Sequence, residues 1–336
     1  MNDLSPTVRN SFAGRRIAII GDLVADQFLS GSISRVSREA PVFILKHEDT
    51  ETRPGGAANT AANVASLGGV PVLVGVVGDD ENGRALLQSL SEAGVSTQLV
   101  TRQPDRRTTT KVRVLAGQSY SPKQQVIRID YENNSALAAE TRSQLLDKIG
   151  LAAEDSDAIL ISDYGYGLID DEIYARAREL AGRSSVPIVV DSRFRLRELP
   201  GATAATPNQE EVERLIGRPF TDADCTRLCS ELGHRALVVT CGNQGIAVFE
   251  QDKEPFRMTA IGPTVPVDVT GAGDTVIAAF SLGVAAGLTF RDAAAVANHA
   301  GGIVVMKNRT ATVSTDELLA SLGDADSKAA ASDAPA

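Results

Sequence analysis

The stretch that decides the fold is Asp268-Val-Thr-Gly-Ala-Gly-Asp-Thr-Val-Ile-Ala-Ala-Phe280, in which small residues and an aspartate precede an apolar helix. Gly271, Ala272 and Gly273 leave backbone N–H groups unobstructed at a helix N-terminus, an end that attracts anions. Asp274 falls in the first turn beside the expected anion. The stretch therefore predicts a phosphate site that carries its own base, while a plain capping or dipole-matching role for Asp274 stays open.

A second glycine-rich segment, Arg53-Pro-Gly-Gly-Ala-Ala-Asn-Thr-Ala-Ala-Asn63, lies far earlier in the chain. Together the two segments resemble the paired signatures of the ribokinase-like (PfkB) family of carbohydrate kinases. Thr206-Pro-Asn-Gln-Glu-Glu211 is similar to the family's Asn-x-x-Glu element, and residues 238–245 are similar to its nucleotide-facing strand and turn. The resemblance covers nearly the whole chain and implies an ATP-dependent carbohydrate kinase.

A narrower resemblance is to D-glycero-β-D-manno-heptose-7-phosphate kinases, which phosphorylate the anomeric hydroxyl to give the 1,7-bisphosphate for ADP-heptose synthesis. The runs that carry it are residues 21–26, 34–42, 53–59, 111–115 and 125–130. Two runs depart from that pattern: Asp191-Ser-Arg-Phe stands where Asp-Pro-Lys-Gly is usual, and Asp163-Tyr-Gly-Tyr-Gly167 where Asp-Tyr-Ala-Lys-Gly is usual. A kinase for another sugar, such as fructose, ribose or a sugar acid, therefore stays open, as does a non-catalytic sugar- or nucleotide-binding regulator.

Composition narrows the classes of protein and partner. The 336 residues could form one large α/β domain or two ordinary ones, and 43% apolar content supplies a substantial core. Three cysteines are too few for a disulfide framework, which suits a reducing compartment. The start of the chain lacks the features of a signal peptide and no apolar run reaches about 18 residues, so we expect a cytoplasmic protein without a membrane partner. A net charge of −10 argues against nucleic-acid binding, so local cations must hold any anionic substrate.

Short apolar runs alternate with helical patterns, which predicts a mainly parallel central sheet with helices on both faces. Strands are expected at residues 16–22, 70–78, 158–162, 186–191 and 236–240, and helices at 59–68, 83–93, 170–181, 210–216 and 224–232. Ligands of such sheets bind beyond the carboxyl ends of the strands. The polar residues predicted at those ends are Asp22, Asp163, Asp191 and Thr240.

Residues 32–48 and 108–131 break the alternation with partial period-two spacing, so we expect antiparallel strands outside the main sheet. In the family such strands form a lid over the sugar and often pair between subunits, which implies a homodimer; a plain extension that covers a sheet edge is the alternative. The expected organisation is a three-layer α/β ribokinase-like kinase domain over residues 1–322, with a disordered tail at 323–336. The sequence contains no His-x-Gly-His, so we expect the nucleotidylyltransferase step that some relatives carry to come from another protein.

The resemblance assigns acceptor and catalytic roles. The positions that hydrogen-bond sugar hydroxyls in the family are Asp26, Gly55, Gly56 and Asn59. A turn residue, a tight turn and a helix N-cap are the structural alternatives for them. Asp274 is expected to accept the proton of the attacking hydroxyl while the amides of Gly271, Ala272 and Gly273 neutralise the transferring phosphoryl group. Because the positive end of the helix dipole favours a charged carboxylate, we expect Asp274 to be a weak base.

We expect the nucleotide to bind without a P-loop, because the chain has no Gly-x-x-x-x-Gly-Lys-Ser/Thr run. By resemblance, ATP lies against Thr240, Gly242, Gly245 and Asn298. Asn208 and Glu211 fall in the magnesium–phosphate neighbourhood, acting through water, although a first-turn helix acid is the alternative for Glu211. Asp268 and Thr270 match positions that hold an activating monovalent cation, K⁺, in some family members.

Cations concentrate in or next to the predicted lid and would suit a sugar phosphate. They are Arg35, Arg38, Lys46, Arg53, Lys111, Arg113 and Arg128, with Arg193 as a substitute for the lysine of the usual Asp-Pro-Lys-Gly. Arginine fits phosphate because its fork binds two oxygens. A solvated charged face is the alternative interpretation of this group.

Overall fold

The computed structural model describes residues 4–118, 123–133 and 137–332, with side chains described as far as residue 323. Its strands are β1 Arg16–Gly21, β2 Leu23–Val36, β3 Phe43–Gly56, β4 Val70–Gly78, β5 Val100–Gln103, β6 Thr110–Gly117, β7 Gln124–Tyr131, β8 Ala158–Asp163, β9 Ile188–Ser192, β10 Ala204–Ala205, β11 Ala236–Thr240, β12 Ile246–Glu250 and β13 Phe256–Met258. Its helices are α1 Ser5–Ser11, α2 Ala57–Ser66, α3 Glu81–Glu92, α4 Ala139–Ala153, α5 Asp171–Ser184, α6 Gln209–Ile216, α7 Asp222–Glu231, α8 Ala272–Ala285, α9 Phe290–Val304 and α10 Thr315–Ser332.

The main sheet of the described chain has nine strands in the order β13-β12-β11-β10-β9-β8-β1-β4-β5. Every pairing from β11 to β5 is parallel, and β12 and β13 add antiparallel strands at one edge. Parallel strands need a crossover connection, which the intervening helices supply. The prediction of a mainly parallel sheet is confirmed.

Helices cover both faces of this sheet because successive side chains of a strand point to opposite sides. In β1, Ile17 and Ile19 pack into one apolar layer with α1, α2, α3, α8, α9 and α10. Ala18 and Ile20 pack into the other layer with α4, α5, α6 and α7. The three-layer α/β architecture predicted from the sequence is therefore confirmed.

Four strands form the lid, in the order β3-β2-β6-β7. The β2–β3 and β6–β7 pairs are antiparallel, but β2 and β6 run parallel. The prediction of antiparallel strands is wrong for that central pair, because the chain crosses through β4, α3 and β5 before β6 and re-enters the lid in the same direction. The lid is also larger than predicted, since β2 begins at Leu23 and β3 ends at Gly56. Residues 119–122 of the second predicted lid segment lie outside the described residues.

Helix α10 continues to Ser332, whereas the sequence predicts a disordered segment from residue 323. Alanine and lysine in that segment have high helix propensity, which favours an extension of a helix that is already nucleated. The disordered tail stays a prediction. Residues 333–336 lie outside the described residues. Across the helices of the described chain, none combines the length and the apolar character needed to cross a membrane.

Helix α8 is apolar on all sides and lies inside the layer that it shares with α2 and α9. It begins after Gly271, whose φ of 77° lies in the left-handed region that favours glycine. A Cβ at Gly271 would lie 2.5 Å from Asn59 Nδ2, whereas a Cβ at Gly273 would have no atom within 4 Å. Backbone conformation and space therefore both favour glycine at position 271, whereas neither requires it at position 273.

Substitution of each glycine by alanine tests this difference. We expect Gly271→Ala to lower the free energy of unfolding by about 1–3 kcal/mol, because the left-handed backbone and the close amide both resist a Cβ. Gly273→Ala should leave stability unchanged or raise it by up to about 1 kcal/mol, because alanine favours the helix. Denaturant unfolding of both variants measures this, and equal losses would contradict the steric argument.

Candidate active site

Asp274 is buried in the first turn of α8, and both of its carboxylate oxygens accept hydrogen bonds. Asn59 Nδ2 donates to Oδ2 at 2.8 Å, and the Tyr164 hydroxyl donates to Oδ1 at 2.5 Å. A carboxylate offers about four lone-pair positions, so each oxygen keeps capacity for another donor. The group can therefore accept a proton from a further hydroxyl without losing either contact.

Burial raises the pKa of Asp274 to about 6, while the hydrogen bonds from Tyr164 and Asn59 act in the opposite direction. The expectation of a weak base is wrong, because removing the carboxylate from water outweighs the attraction of the helix dipole for its charged form. A pKa close to neutral is suited to general-base catalysis.

The predicted phosphate-binding amides are not equivalent. The Ala272 N–H donates to the Val269 carbonyl at 3.2 Å, so a turn already uses it. Gly273 is exposed and lines the two cavities described below. Gly271 forms the left-handed cap of the helix. Gly273 is therefore the most exposed of the three residues at the helix start, and Ala272 lines only the second cavity.

Asp26 is a buried residue of lid strand β2, so the turn alternative is wrong. Arg113 Nη2 donates to its Oδ1 at 3.2 Å, and the Thr310 hydroxyl donates to its Oδ2 at 3.2 Å. Burial raises the pKa of Asp26 despite the opposing charges of Arg113 and Lys111. A Cβ at Gly55 would lie 2.6 Å from Oδ2, so the glycine lets β3 approach this carboxylate.

Gly56 and Asn59 lie where the lid joins the main domain. Gly56 is the N-cap of α2, with a φ of 58°, and a Cβ there would lie 2.7 Å from the Asp22 carbonyl oxygen. Asn59 lies inside α2, so the N-cap alternative is wrong. Its Nδ2 contacts Asp274 and its Oδ1 accepts from Asn63 Nδ2 at 3.2 Å. In this structure the amide therefore orients the carboxylate of Asp274.

A cavity of about 230 Å³ opens beside the start of α8, at the carboxyl ends of β8, β9 and β11. Three acidic residues line it, Asp163, Asp191 and Glu211, together with one cation, the predicted Arg193. Burial raises the pKa of Asp191 well above its usual range, and the neighbouring carboxylates add to the effect. Thr206 also lines the cavity, and its buried Oγ1 has no hydrogen-bond partner within the described residues. The cavity therefore suits a polar ligand that brings a cation.

Asn208 and Glu211 form a capping box at the start of α6, so both have a structural role. Glu211 Oε2 accepts the Asn208 N–H at 2.8 Å, and Asn208 Oδ1 accepts the Glu211 N–H at 2.9 Å. Both residues also line the acidic cavity. Residues 4–118, 123–133 and 137–323 contain no group of three or more His, Cys, Asp or Glu side chains placed to hold a metal ion.

A second cavity of about 240 Å³ adjoins the first, and Thr240 and Gly273 line both. The predicted nucleotide residues Gly242, Gly245 and Asn298 also line it. Much of the remaining wall is apolar, with Ile246, Ile261, Pro263, Val276 and Val305. The tertiary structure thus brings the four predicted nucleotide positions together around one apolar cavity, a surface typical of cofactor sites.

Two of these positions are constrained by their surroundings. Gly245 has a φ of 94°, and a Cβ there would lie 2.0 Å from the Met258 carbonyl oxygen. The Asn298 side chain donates to the Thr259 carbonyl at 2.7 Å, which holds the cavity wall. Both residues therefore shape the cavity.

Asp268 and Thr270, the predicted monovalent-cation positions, belong to the loop before α8. Asp268 Oδ1 accepts the Thr270 N–H at 2.9 Å, and its Oδ2 accepts the Arg309 N–H at 3.0 Å. Both carboxylate oxygens therefore hold the loop together. The role in binding K⁺ stays a prediction.

The predicted lid cations divide into two groups. Lys111 and Arg113 are buried, and Arg53 is half-buried with hydrogen bonds to Glu51 and the Thr310 carbonyl. Lys111 Nζ lies over the aromatic rings of Tyr164 and Tyr166, 5.6 Å and 5.7 Å from their centroids. Those exposed to solvent are Arg35, Arg38, Lys46 and Arg128, which matches the solvated-face alternative.

Sequence reasoning missed Tyr164, Thr206 and Thr310 as site residues. Tyr164 directly follows the carboxyl end of β8, and Thr206 directly follows β10. Because ligands of such sheets bind beyond the carboxyl ends of the strands, both residues could have been predicted from the sequence. Thr310 lies beyond α9 in no motif, and only the tertiary structure brings it to Asp26.

Comparison with known sequences identifies the family. The sequence model of the pfkB family carbohydrate kinase matches residues 16–317. The bifunctional protein HldE of Citrifermentans bemidjiense is 36% identical over 323 residues, covering 93% of this chain and 65% of that protein. HldE of Vibrio parahaemolyticus is 38% identical over 307 residues, with 90% and 62% covered. The chain thus spans less than two thirds of the length of these relatives.

Solved structures show the same fold at low sequence identity. Arabidopsis thaliana ribokinase complexed with ribose and ATP superposes with a TM-score of 0.70 at 21% identity, covering 92% of this chain and 99% of that one. Escherichia coli phosphofructokinase-2 in complex with substrates and products gives a TM-score of 0.75 at 18% identity, with 92% and 99% covered. The family match over residues 16–317 and the identities of 36% and 38% to the HldE proteins show that the chain belongs to the pfkB family of carbohydrate kinases and is an ATP-dependent sugar kinase.

Proposed function

We propose that this kinase transfers the γ-phosphate of ATP to the anomeric hydroxyl of D-glycero-β-D-manno-heptose 7-phosphate, with Asp274 as general base. The observation that carries the proposal is the position of the buried Asp274 carboxylate, which follows the cavity-lining Gly273 and is hydrogen-bonded to Asn59 and Tyr164. The sequence resemblance to heptose-7-phosphate kinases and the identity to the HldE proteins support the choice of sugar.

In the proposed reaction, the acceptor hydroxyl gives its proton to Asp274 as its oxygen forms a bond to the γ-phosphorus. The bond between that phosphorus and the β–γ bridging oxygen breaks, and ADP leaves with the electron pair. Phosphoryl transfer requires mainly alignment and charge neutralisation, so a base with a pKa of about 6 is adequate. An anomeric hydroxyl is more acidic than an ordinary alcohol, which suits this base.

For the nucleotide, we propose that the apolar cavity holds the base of ATP and that the acidic cavity holds its phosphates with Mg²⁺. Asp191, Asn208 and Glu211 supply oxygens of the kind that Mg²⁺ prefers, and an ion that keeps several waters does not need a cage of protein ligands. The unpartnered Thr206 hydroxyl fits the same ligand. When bound, Mg²⁺ neutralises phosphate charge. We also propose that Asp268 and Thr270 bind an activating K⁺ ion.

A sugar phosphate requires cations at its far end, on the acceptor side of the site. Lys111 is buried and makes no salt bridge within the described residues, while its charge acts on both Asp26 and Asp274. Arg193 lies near enough to Lys111 for burial and like charge together to lower the pKa of that lysine. Two cations held near each other favour an anionic substrate, so Arg193 compensates for the missing lysine.

We also propose that the kinase forms a homodimer through the lid. All eight residues of edge strand β7 are exposed, including Val126, Ile127 and Ile129. Phe43 of the opposite edge strand is exposed as well. A long apolar edge strand is unfavourable in water and pairs readily with a second chain.

A sugar panel tests the substrate. ADP release with magnesium-ATP is measured against D-glycero-β-D-manno-heptose 7-phosphate, the unphosphorylated heptose, fructose, ribose and a keto sugar acid. We expect kcat/KM to be highest for the heptose phosphate, because Lys111 and Arg193 bind its distal anion. Turnover of an unphosphorylated sugar alone would discard the heptose proposal but keep the kinase.

Replacement of the base tests the mechanism. We expect Asp274→Asn to lower kcat by about 10²–10⁴-fold while ATP binding is retained, because an amide cannot accept the proton. Asp316→Asn, which changes another first-turn aspartate in α10, should leave kcat unchanged. In the native chain, kcat/KM should fall as the pH drops through about 6, since the base must be ionised and burial has raised its pKa to that value. Full activity of Asp274→Asn would reject the proposed base.

Mutation of the lid edge tests the dimer. Ile127→Glu places a carboxylate on a residue that is 54% exposed, and Leu151→Glu does the same at a 59% exposed residue of α4 outside the lid. We expect only Ile127→Glu to weaken dimerisation, by at least about tenfold, because a charge buried in an interface lacks a partner. Light scattering after size exclusion over a concentration series measures this, and a dimer unaffected by Ile127→Glu would place the interface elsewhere.

A further inference from the structure

Tyr164 contacts the proposed base directly, yet nothing in the family motifs assigns it a role. It is the first residue after β8, and its hydroxyl donates to Asp274 Oδ1 at 2.5 Å. Burial and the negative charge of Asp274 raise the pKa of this hydroxyl well above its usual value. The phenol therefore stays protonated at neutral pH and acts only as a hydrogen-bond donor towards the carboxylate.

The loop that carries Tyr164 is held by a second buried carboxylate. Asp22, directly after β1, is 3% exposed. Its Oδ2 accepts the N–H groups of Tyr164 at 2.9 Å and Tyr166 at 3.1 Å, and its Oδ1 accepts the Leu168 N–H at 3.3 Å. Three main-chain bonds to one side chain fix the loop to the end of β1. The position of the phenol is therefore set by the main sheet.

We propose that Tyr164 is a positioning residue, held in place by Asp22, that orients the Asp274 carboxylate and stabilises its ionised form for proton acceptance. The inference rests on the proposed function in so far as Asp274 is the base. The hydroxyl donates to one oxygen and the Asn59 amide to the other, so the carboxylate plane is held from both sides. The remaining lone pairs face the acceptor hydroxyl.

Other charged groups also act on Asp274. Lys111 of β6 favours its ionised form, whereas Asp26 of β2 disfavours it. Asp191 of β9 interacts with it as a like charge. Because hydrogen bonds to a carboxylate stabilise the charged form, loss of the Tyr164 hydroxyl should raise the pKa of Asp274 further.

The test is the pH dependence of kcat/KM for Tyr164→Phe. We expect the acid limb to move to higher pH by roughly one unit, the size expected for one hydrogen bond to a charged group. At a pH above the acid limbs of the native enzyme and of Tyr164→Phe, we expect kcat of the variant to be roughly tenfold lower than the native value, because the carboxylate is less well oriented. The matched control is Tyr174→Phe, which removes another largely buried hydroxyl that bonds only to the Leu199 and Pro200 carbonyls, far along the chain in α5.

The comparison isolates Asp274 from other titrating groups. Burial also raises the pKa of Asp22 to about 6, but Tyr164 contacts that carboxylate through its main-chain N–H, which phenylalanine keeps. Ionisation of ATP and of the sugar phosphate contributes equally to both enzymes. Asp26 and Asp191 also interact electrostatically with Tyr164, but only Asp274 accepts a hydrogen bond from its hydroxyl. We therefore assign to Asp274 a limb that moves in Tyr164→Phe and not in Tyr174→Phe.

An acid limb that coincides in Tyr164→Phe, Tyr174→Phe and the native chain would overturn the proposal. Should Tyr164→Phe fail to fold, the native sequence made with 3-fluorotyrosine in place of tyrosine gives the second measurement. A fluorinated phenol is a stronger donor, so the limb should move to lower pH, and an unchanged limb would again overturn the proposal. Retained turnover by Asp274→Asn would instead reject the base itself, so the two failures are distinguishable.

Discussion

The constraint on which the site depends is the burial of one carboxylate at the start of an apolar helix. Helix α8 is covered on every side by α2, α9 and the main sheet, so Asp274 in its first turn cannot reach bulk water. Burial raises its pKa to about 6 and makes every polar contact to it matter more. The Asn59 amide and the Tyr164 hydroxyl provide those contacts, and Gly271 supplies the backbone space that lets the amide approach.

The same constraint explains why the lid is joined so tightly to the main sheet. Only Asp22 separates the end of β1 from the start of β2, and β3 ends directly before α2, so the lid strands begin and finish at the carboxyl edge of the main sheet. The Ala57 N–H donates to the Asp22 carbonyl at 3.1 Å, which closes that junction. Asp26 and Lys111, both on lid strands, consequently lie close enough to Asp274 to act on its charge. The charges on the lid strands therefore influence the ionisation of Asp274.

Charge is also distributed to suit the ligands. The protein carries a net charge of −10, and the acidic cavity concentrates Asp163, Asp191 and Glu211 within one small volume. Arg193 of the same cavity offsets part of this charge, and a further cation would stabilise the three acids. On the sugar side, buried Lys111 and Arg113 provide the opposite sign. This separation of charge agrees with the proposed binding of a magnesium nucleotide on one side and of an anionic acceptor on the other.

The sequence by itself determined the three-layer architecture, the glycine-rich helix start and the strand-end residues Asp163, Asp191 and Thr240. Short apolar runs, helical patterns and glycine requirements are local properties of the sequence. The positions on lid strands beside Asp274 were also predictable by resemblance. Only the tertiary structure decided that Asp274 is a stronger base than its helix position indicates, since desolvation depends on packing from every side. It likewise decided the parallel β2–β6 pairing and the contact of Thr310 with Asp26, because both join segments far apart in the chain.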